Sequence, residues 1–538
     1  MKKVFTFLTL CFFASALAAQ TVTVTNATLT NGTYNWTADT EYILDGAVFL
    51  EAGGVLNIEA GTVIRGKATP SNSNDVASVL VIARGAMINA AGSANNPIIM
   101  TAELDDLDDS TDLGQDDNQL WGGLIVLGNA PVGEDGGTDQ IEGLDPDNPL
   151  STYGGTNIAD NSGTIRYLSL RHGGADIGAD NEINGLTLGG VGNGTTIDHV
   201  EIFANKDDGF EFFGGSVNAT YLIAAFCGDD SFDFDESWSG YLQFIFSIHG
   251  QTNDAFGDNA IEYDGSEDGN DGIDDAVTGR VYNATFIGAN GVVNTNSDGV
   301  RLKSAGALEL WNSIIYQPSG YAFRVEDASL ELLAAGNSAF ASNITFGGGT
   351  YVQDDESTVI AALAAGGNVQ TDPGLASISR TTDGGLDPRP AGFTSIAYAG
   401  AASHSGEAEN TPYRGAFRYG APGEKTWAHG WTALDSYGYL YQDQGATTGT
   451  ADLNTVTATV SPNPAAALTV FTFELNAASQ VSVQMTDLTG RIVYAENLGQ
   501  RSAGVQTVTL NVADLAVGTY IINAATDEGN AVRKFVKK

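Results

Sequence analysis

The chain alternates short apolar runs with clusters of Gly, Asn and Asp, and no long stretch carries the 3.6-residue period of a helix. β-Branched and aromatic runs between such turns predict an all-β protein. In the middle, NKDDGFEFFGG from Asn205 nearly duplicates CGDDSFDFDES from Cys227, a register of 22 residues. A repeat of that length, built of short strands and polar turns, predicts a solenoid. The pattern continues as an apolar, outward, apolar triplet: Leu186-Thr187-Leu188, Phe210-Glu211-Phe212, Phe232-Asp233-Phe234, Ile261-Glu262-Tyr263, Val300-Arg301-Leu302 and Phe323-Arg324-Val325. Alternate strand residues face opposite sides, so the flanking pair should fill the core and the middle residue should face solvent. With coils stacked about 4.8 Å apart, Glu211, Asp233, Glu262, Arg301 and Arg324 would form one outward column.

Two positions before each triplet runs a second column of Asn184, Asp208, Asp230, Asn259 and Asp298. Asn and Asp suit turns because they tolerate left-handed backbone and bond their own main chain. Stacked carboxylates also repel unless they are protonated or bridged by a cation, which makes this column a candidate for metal.

The two ends differ from the middle. Lys2 and Lys3 precede an apolar run from Val4 to Phe13 and small residues to Ala19, so 1–19 reads as a cleaved signal peptide. The run is too short for a membrane span, and no integral membrane segment is expected. After a spacer over 442–456, the alternating runs LTVFTFEL, QVSVQMTDL, RIVYAENL, VQTVTLNV and TYIINAAT predict a small β-sandwich over 457–538. The solenoid occupies 20–441.

Charge narrows the partners. The 23 basic residues face 66 acidic ones, a net charge of −43. Phosphate contacts need Lys and Arg clusters, so nucleic acid and anionic membranes are excluded. The acidity suits solubility or divalent-cation binding. Of two cysteines only Cys227 survives signal removal, so no intrachain disulfide forms, and its alignment with Asn205 predicts a buried thiol.

Candidate chemistry follows from particular residues. Asp264, Ser266 and Asp268, followed by Gly269, make the D-x-S-x-D-G opening of a calcium loop, although Asp271 and Asp275 depart from the rest of that pattern. His172, His199, His249, His404 and His429 are too scattered for a zinc site, and His199 reads as a surface strand residue. Trp121, Trp238, Trp311, Trp427 and Trp431 suit core packing or sugar stacking.

The segments VLNIEAGTVIRG from Val55, VLVIARGAMINAAGSANNPIIMTA from Val79, LWGGLIVLGNAPV from Leu120 and INGLTLGGVGNGTTIDHVEI from Ile183 resemble right-handed parallel β-helix surface proteins of the pectin-lyase-like superfamily. The resemblance runs from about Thr21 to Tyr441, where YRGAFRYG and WAHGWTAL look like closing strands; it implies a fold and little about activity. At the C-terminus, Ser461-Pro462-Asn463-Pro464, then Asp487 to Gly490-Arg491, then Gly518-Thr519-Tyr520, then Lys534-Phe535-Val536 resemble the type A sorting domain of type IX secretion substrates. That resemblance implies export to the periplasm, the type IX machinery as partner, removal of the domain, and a final place outside the cell or on its surface.

The order NKDDG, GDDSFD, SIHGQ and VRLKS is also similar to the four blocks of polygalacturonases, though SIHGQ lacks their glycine before the histidine. That similarity implies Asp208, Asp229 and Asp230 as catalytic carboxylates, His249 as their tuner, and Arg301 with Lys303 as ligands of an anionic sugar. Two expectations result. The leading one is a non-enzymatic, adhesin-like protein that binds polysaccharide or another cell-surface component, with calcium; the alternative is a polysaccharide-degrading hydrolase of the polygalacturonase type.

Overall fold

The computed structural model describes residues 20–26, 28–72, 77–134, 136–178, 181–251, 257–265, 277–291, 297–420, 424–441, 458–475, 478–487, 491–513, 515–526 and 529–538. The signal segment 1–19, the 442–456 spacer, Ser266, Asp268 and Gly490 lie outside the described residues. No described helix is long and apolar enough to cross a membrane.

The triplets become strands Leu186–Gly189, Phe210–Phe213, Phe232–Asp235, Glu262–Asp264, Val300–Lys303 and Tyr321–Val325, stacked in parallel within a ten-stranded sheet. A second sheet of nineteen strands carries the rest of each coil. It bends along one line where Tyr167, His199, Tyr221, Phe244, Asn283, Asn312 and Ser342 all take left-handed φ between 47° and 59°. The sheets close a parallel β-helix, with the right-handed crossover such connections take.

Inside, identical register stacks like on like. Phe210 lies 5.2 Å from Phe232, Phe212 4.9 Å from Phe234, and Phe234 5.4 Å from Tyr263, all with near-parallel rings. Each buries its full side chain, worth roughly 1.5–3 kcal/mol of transfer free energy. Cys227 is buried among them, and burial pushes its thiol up to about 12, so it is inert packing.

Two nine-residue helices, Asp327–Ala335 and Ser357–Ala365, follow the last two strands of the ten-stranded sheet. They bury Leu333, Val359 and Leu363 against the core, covering an end that would otherwise expose apolar edges. Nine residues are too few for a helical period to stand out in a chain of this composition, which is why no helix was expected there.

The segments expected to close the solenoid as strands do something else. Tyr413–Gly420 and Trp427–Leu434 form no strand; they belong to a strap that folds back along the outside of the second sheet. Ala416, Phe417, Trp431, Leu434, Tyr437 and Tyr439 cover Phe203, Ile223, Phe246, Ile248 and Ile287, outward residues that would otherwise form an exposed apolar face. The bend residues help hold the strap: Asn283 Nδ2 donates to the Tyr413 carbonyl at 2.9 Å, and Asn312 exchanges two 2.8 Å bonds with the main chain of Ala402. His199 lies in the strand Thr196–Phe203 as expected, but it is half-buried and not at the surface. It occupies the bend, stacked between Tyr167 at 4.3 Å and Tyr221 at 4.4 Å.

Glu201 anchors the strap most firmly. Its carboxylate is wholly buried and accepts from the backbone N–H of Ala433 at 2.5 Å and Leu434 at 3.1 Å, the first turn of a short helix over Ala433–Ser436, and from Ser169 Oγ at 2.6 Å. The buried Arg171 guanidinium supplies the compensating charge.

The C-terminal unit has antiparallel sheets of three and four strands around Phe471, Phe473, Leu510, Ile522 and Phe535. Two of its sequence marks meet: Asn463 Nδ2 donates to the Lys534 carbonyl at 2.8 Å, and its Oδ1 accepts from Val536 N–H at 2.9 Å. The Pro462 carbonyl accepts from Thr469 Oγ1. Tyr520 pairs with both Asp487 and Phe535, and Gly518 with Lys537.

Replacing Glu201 by Ala strands the Arg171 charge and two helix N–H groups in an apolar setting, at a cost of about 3–5 kcal/mol. Limited proteolysis should then cut within 373–441 far faster than in the parent chain, while the far-ultraviolet β signature persists.

Candidate metal centre on the outer face

The outward column is longer than the sequence pattern suggested. Its register runs Phe49, Val81, Ile125, Thr187, Glu211, Asp233, Glu262, Arg301, Arg324. The face therefore passes from apolar to acidic to basic. An insertion carrying Val132, Ile141, Leu144 and Tyr153 covers the apolar third. The expectation that middle residues face solvent fails here and beyond. Glu211 is only 5 % exposed beside the insertion, and Asp233, Glu262, Arg301 and Arg324 are half-buried.

The turn column forms a hydrogen-bonded ladder between coils. Asn184 Oδ1 accepts from Asp208 N–H at 3.2 Å, Asp208 Oδ1 from Asp230 N–H at 2.8 Å, and Asp230 Oδ1 from Asn259 N–H at 2.5 Å. Asn259 Oδ1 then accepts from Asp298 N–H at 3.3 Å, and Asp298 Oδ1 from Tyr321 N–H at 2.6 Å. Rather than bonding their own main chain, as such turn residues commonly do, each of these caps the next coil. This use fixes Asp208 and Asp230 against the next coil, within reach of the Glu211–Asp233–Glu262 column.

Four carboxylate triads result, each with one oxygen per residue inside a 4.8 Å limit: Asp208 with Glu211 and Asp233; Asp230 with Asp233 and Glu262; Asp207 with Asp208 and Asp229; and Asp229 with Asp230 and Asp258. The triads interlock through Asp208, Asp229, Asp230 and Asp233. Asp207 and Asp258 were missed as site residues because nothing in their turn spacing separates them from solvated loop acids. Glu142, near Glu211, arrives from the insertion and leaves no mark in the repeat.

Neutralisation is uneven. Arg301 bonds Glu262 at 2.8 Å and Glu326 at 3.0 Å; Lys303 bonds Glu262 at 2.6 Å and Asp264 at 2.9 Å; Arg324 bonds Glu326 at 2.9 Å and lies 3.6 Å from Asp298. Among the described residues no ion pair reaches Asp207, Asp208, Glu211, Asp229, Asp230 or Asp233. Burial, and then the crowd of neighbouring carboxylates, holds Asp208, Glu211, Asp230 and Asp233 well above the usual carboxylate range. The same causes push Asp207 up to about 7 and Asp258 to about 6, and burial raises Asp298 to about 6 despite Arg324.

The other candidates sit elsewhere. His249 is buried, with its ring nitrogens bonded to Ser231 Oγ at 3.0 Å and Ser297 Oγ at 3.1 Å; burial and then Arg380 push it down to about 4. Asp264, the one described member of the calcium-loop motif, is engaged by Lys303. Trp121, Trp238 and Trp431 are core residues, whereas Trp311 and Trp427 are half-buried.

The donor set is all oxygen and anionic, which suits a hard divalent cation such as calcium more than zinc. The oxygens of each triad lie within 4.8 Å of one another, close enough for one cation to touch all three.

Residues 27–388 match the family described as pectate-lyase-like β-helix domain, and residues 459–538 match the secretion system C-terminal sorting domain. Comparison with curated proteins gives no match. Among solved structures, full-length tailspike protein 2 from the Escherichia coli O157:H7 bacteriophage CAB120 aligns at 10% identity over 92% of this chain and 64% of the tailspike, with a TM-score of 0.19, too low to carry an argument. The sorting domain marks export by the type IX machinery to the cell surface or the extracellular space. With the first match spanning most of its length, the chain belongs to the pectate-lyase-like β-helix family and is a secreted type IX substrate.

Proposed function

We propose that this is a non-enzymatic surface-binding protein in which calcium, held between the stacked carboxylates, bridges the β-helix to an anionic polysaccharide or another acidic cell-surface component. The observation that carries the reading is the interlocked set of triads in which Asp208, Asp230 and Asp233 themselves form no ion pair among the described residues, Glu262 at one edge alone being paired with Arg301 and Lys303. A cation there offsets the repulsion and keeps coordination positions open to a ligand carboxylate.

The hydrolase reading has less support. Arg301 and Lys303, which would bind the sugar anion, are already paired with Glu262, Glu326 and Asp264. His249 bonds serines and has no hydrogen bond to Asp208, Asp229 or Asp230.

The pH dependence follows with a definite sign. Asp207, Asp258 and Asp298 keep protons in the folded chain at pH values where the unfolded chain has lost them. Stability of the cation-free chain therefore falls as pH rises from about 4 through about 7. In chelator the melting temperature should drop between about pH 5 and about pH 8; added calcium should restore most of it, and Asp233→Asn should blunt that rescue. A melting temperature indifferent to chelator at both pH values removes the metal. Incubation with pectins and alginates should yield no new reducing ends or unsaturated products, and turnover that disappears in Asp230→Asn would replace the binding reading with an enzymatic one.

A further inference from the structure

A second groove lies on a different side of the solenoid. It encloses about 790 Å³ between the outer face of the second sheet, before its bend, and the strap residues Ser403–Glu407. Its floor crosses successive coils: Tyr241 registers with Arg280 and Arg280 with Glu309, while Tyr282 registers with Trp311. The lining begins further up the solenoid at Asn193 and Asn218, so the groove runs along the coil axis for about 19 Å, four steps of about 4.8 Å.

The strap wall is fixed in place. The Ala402 main chain makes two hydrogen bonds to Asn312, and His404 and Asn410 close a small ring through hydrogen bonds of 2.8 and 2.9 Å. The His404 ring lies 4.2 Å from that of Tyr282. Gly406 permits the approach, since a Cβ there would stand 2.6 Å from the Tyr282 hydroxyl.

Two half-buried aromatic side chains, Tyr241 and Trp311, thus stand two coils apart among amides and hydroxyls, with the buried Tyr282 on the coil between them. The only lining cation, Arg280, stands 4.0 Å from Glu309, and Glu407 adds a further negative charge. Among the described lining residues the acidic side chains outnumber the one cation, which disfavours an anionic ligand. A neutral, hydroxyl-rich chain matches the lining, because its apolar ring faces stack on aromatics while its hydroxyls bond amides and the Arg–Glu pair.

We infer that this groove is a cation-independent binding site for a neutral oligosaccharide segment, with Tyr241 and Trp311 as its platforms. The inference rests on the glycan-binding part of the reading above and not on its metal. The test is affinity electrophoresis of the secreted chain through gels containing soluble β-glucan, xylan or galactomannan, all with chelator present, beside a polygalacturonate gel with calcium. At least one neutral glycan should retard the chain. Tyr241→Ala and Trp311→Ala should each weaken that retardation about tenfold while the far-ultraviolet β signature shows the chain still folded, Tyr241→Phe should keep it, and Asp233→Asn should leave it alone. If no neutral glycan retards the chain, or both aromatic variants migrate like the parent, the groove is not a glycan site. If chelator or Asp233→Asn abolishes neutral-glycan binding, the contact belongs to the acidic face and the groove assignment is overturned. Loss of polygalacturonate binding alone speaks only against the calcium-bridged reading.

Discussion

Parallel stacking in register governs this molecule: strands of successive coils lie about 4.8 Å apart, so side chains on one face meet their counterparts on the next coil. For Phe210 over Phe232 and Phe212 over Phe234 the rule yields a continuous apolar column. For Glu211, Asp233 and Glu262 the same rule sets like charges side by side. A fold that gains by repetition in its core thus carries a cost wherever the repeat is acidic, and the outer face is organised around that cost.

Different stretches of the face meet the cost by different means. Towards the C-terminal end, Arg301, Lys303 and Arg324 neutralise Glu262, Asp264 and Glu326. Along the turns, Asp208, Asp230 and Asp298 each accept a main-chain N–H from the following coil, which gives part of the charge a structural use. Between these lies the group of Asp207, Asp208, Glu211, Asp229, Asp230 and Asp233, which forms no ion pair with arginine or lysine among the described residues, although Lys206 lies near Asp207 and Asp229. Protonation or a divalent cation must meet the repulsion there. Only the cation turns the face into a binding surface at neutral pH.

The parts of this arrangement legible in the sequence are those that obey local alternation. The triplets put Glu211, Asp233, Glu262, Arg301 and Arg324 in one column because a period of two residues dictates which side chains share a face, and the 22-residue repeat dictates their order. The turn column was visible for the same reason. What could not be read is what docks on the coils. The insertion that buries Ile125 and brings Glu142 near Glu211, and the strap held by Glu201, depend on contacts between residues far apart in sequence. The bend line was hidden as well: Tyr167, His199 and Tyr221 are unusual choices for left-handed backbone, and their stacking is what makes that conformation serviceable. The sorting marks were legible individually, whereas their coupling through Asn463 to Lys534 and Val536 was not.

The central claim, that a divalent cation completes the acidic face, is tested most directly by following protons during a calcium titration near pH 6.5. Carboxyls held protonated by their neighbours must release protons when calcium takes their place. Calcium binding should therefore acidify a weakly buffered solution, and Asp233→Asn should suppress both the binding and the release. Titration with no heat and no proton release would contradict the account.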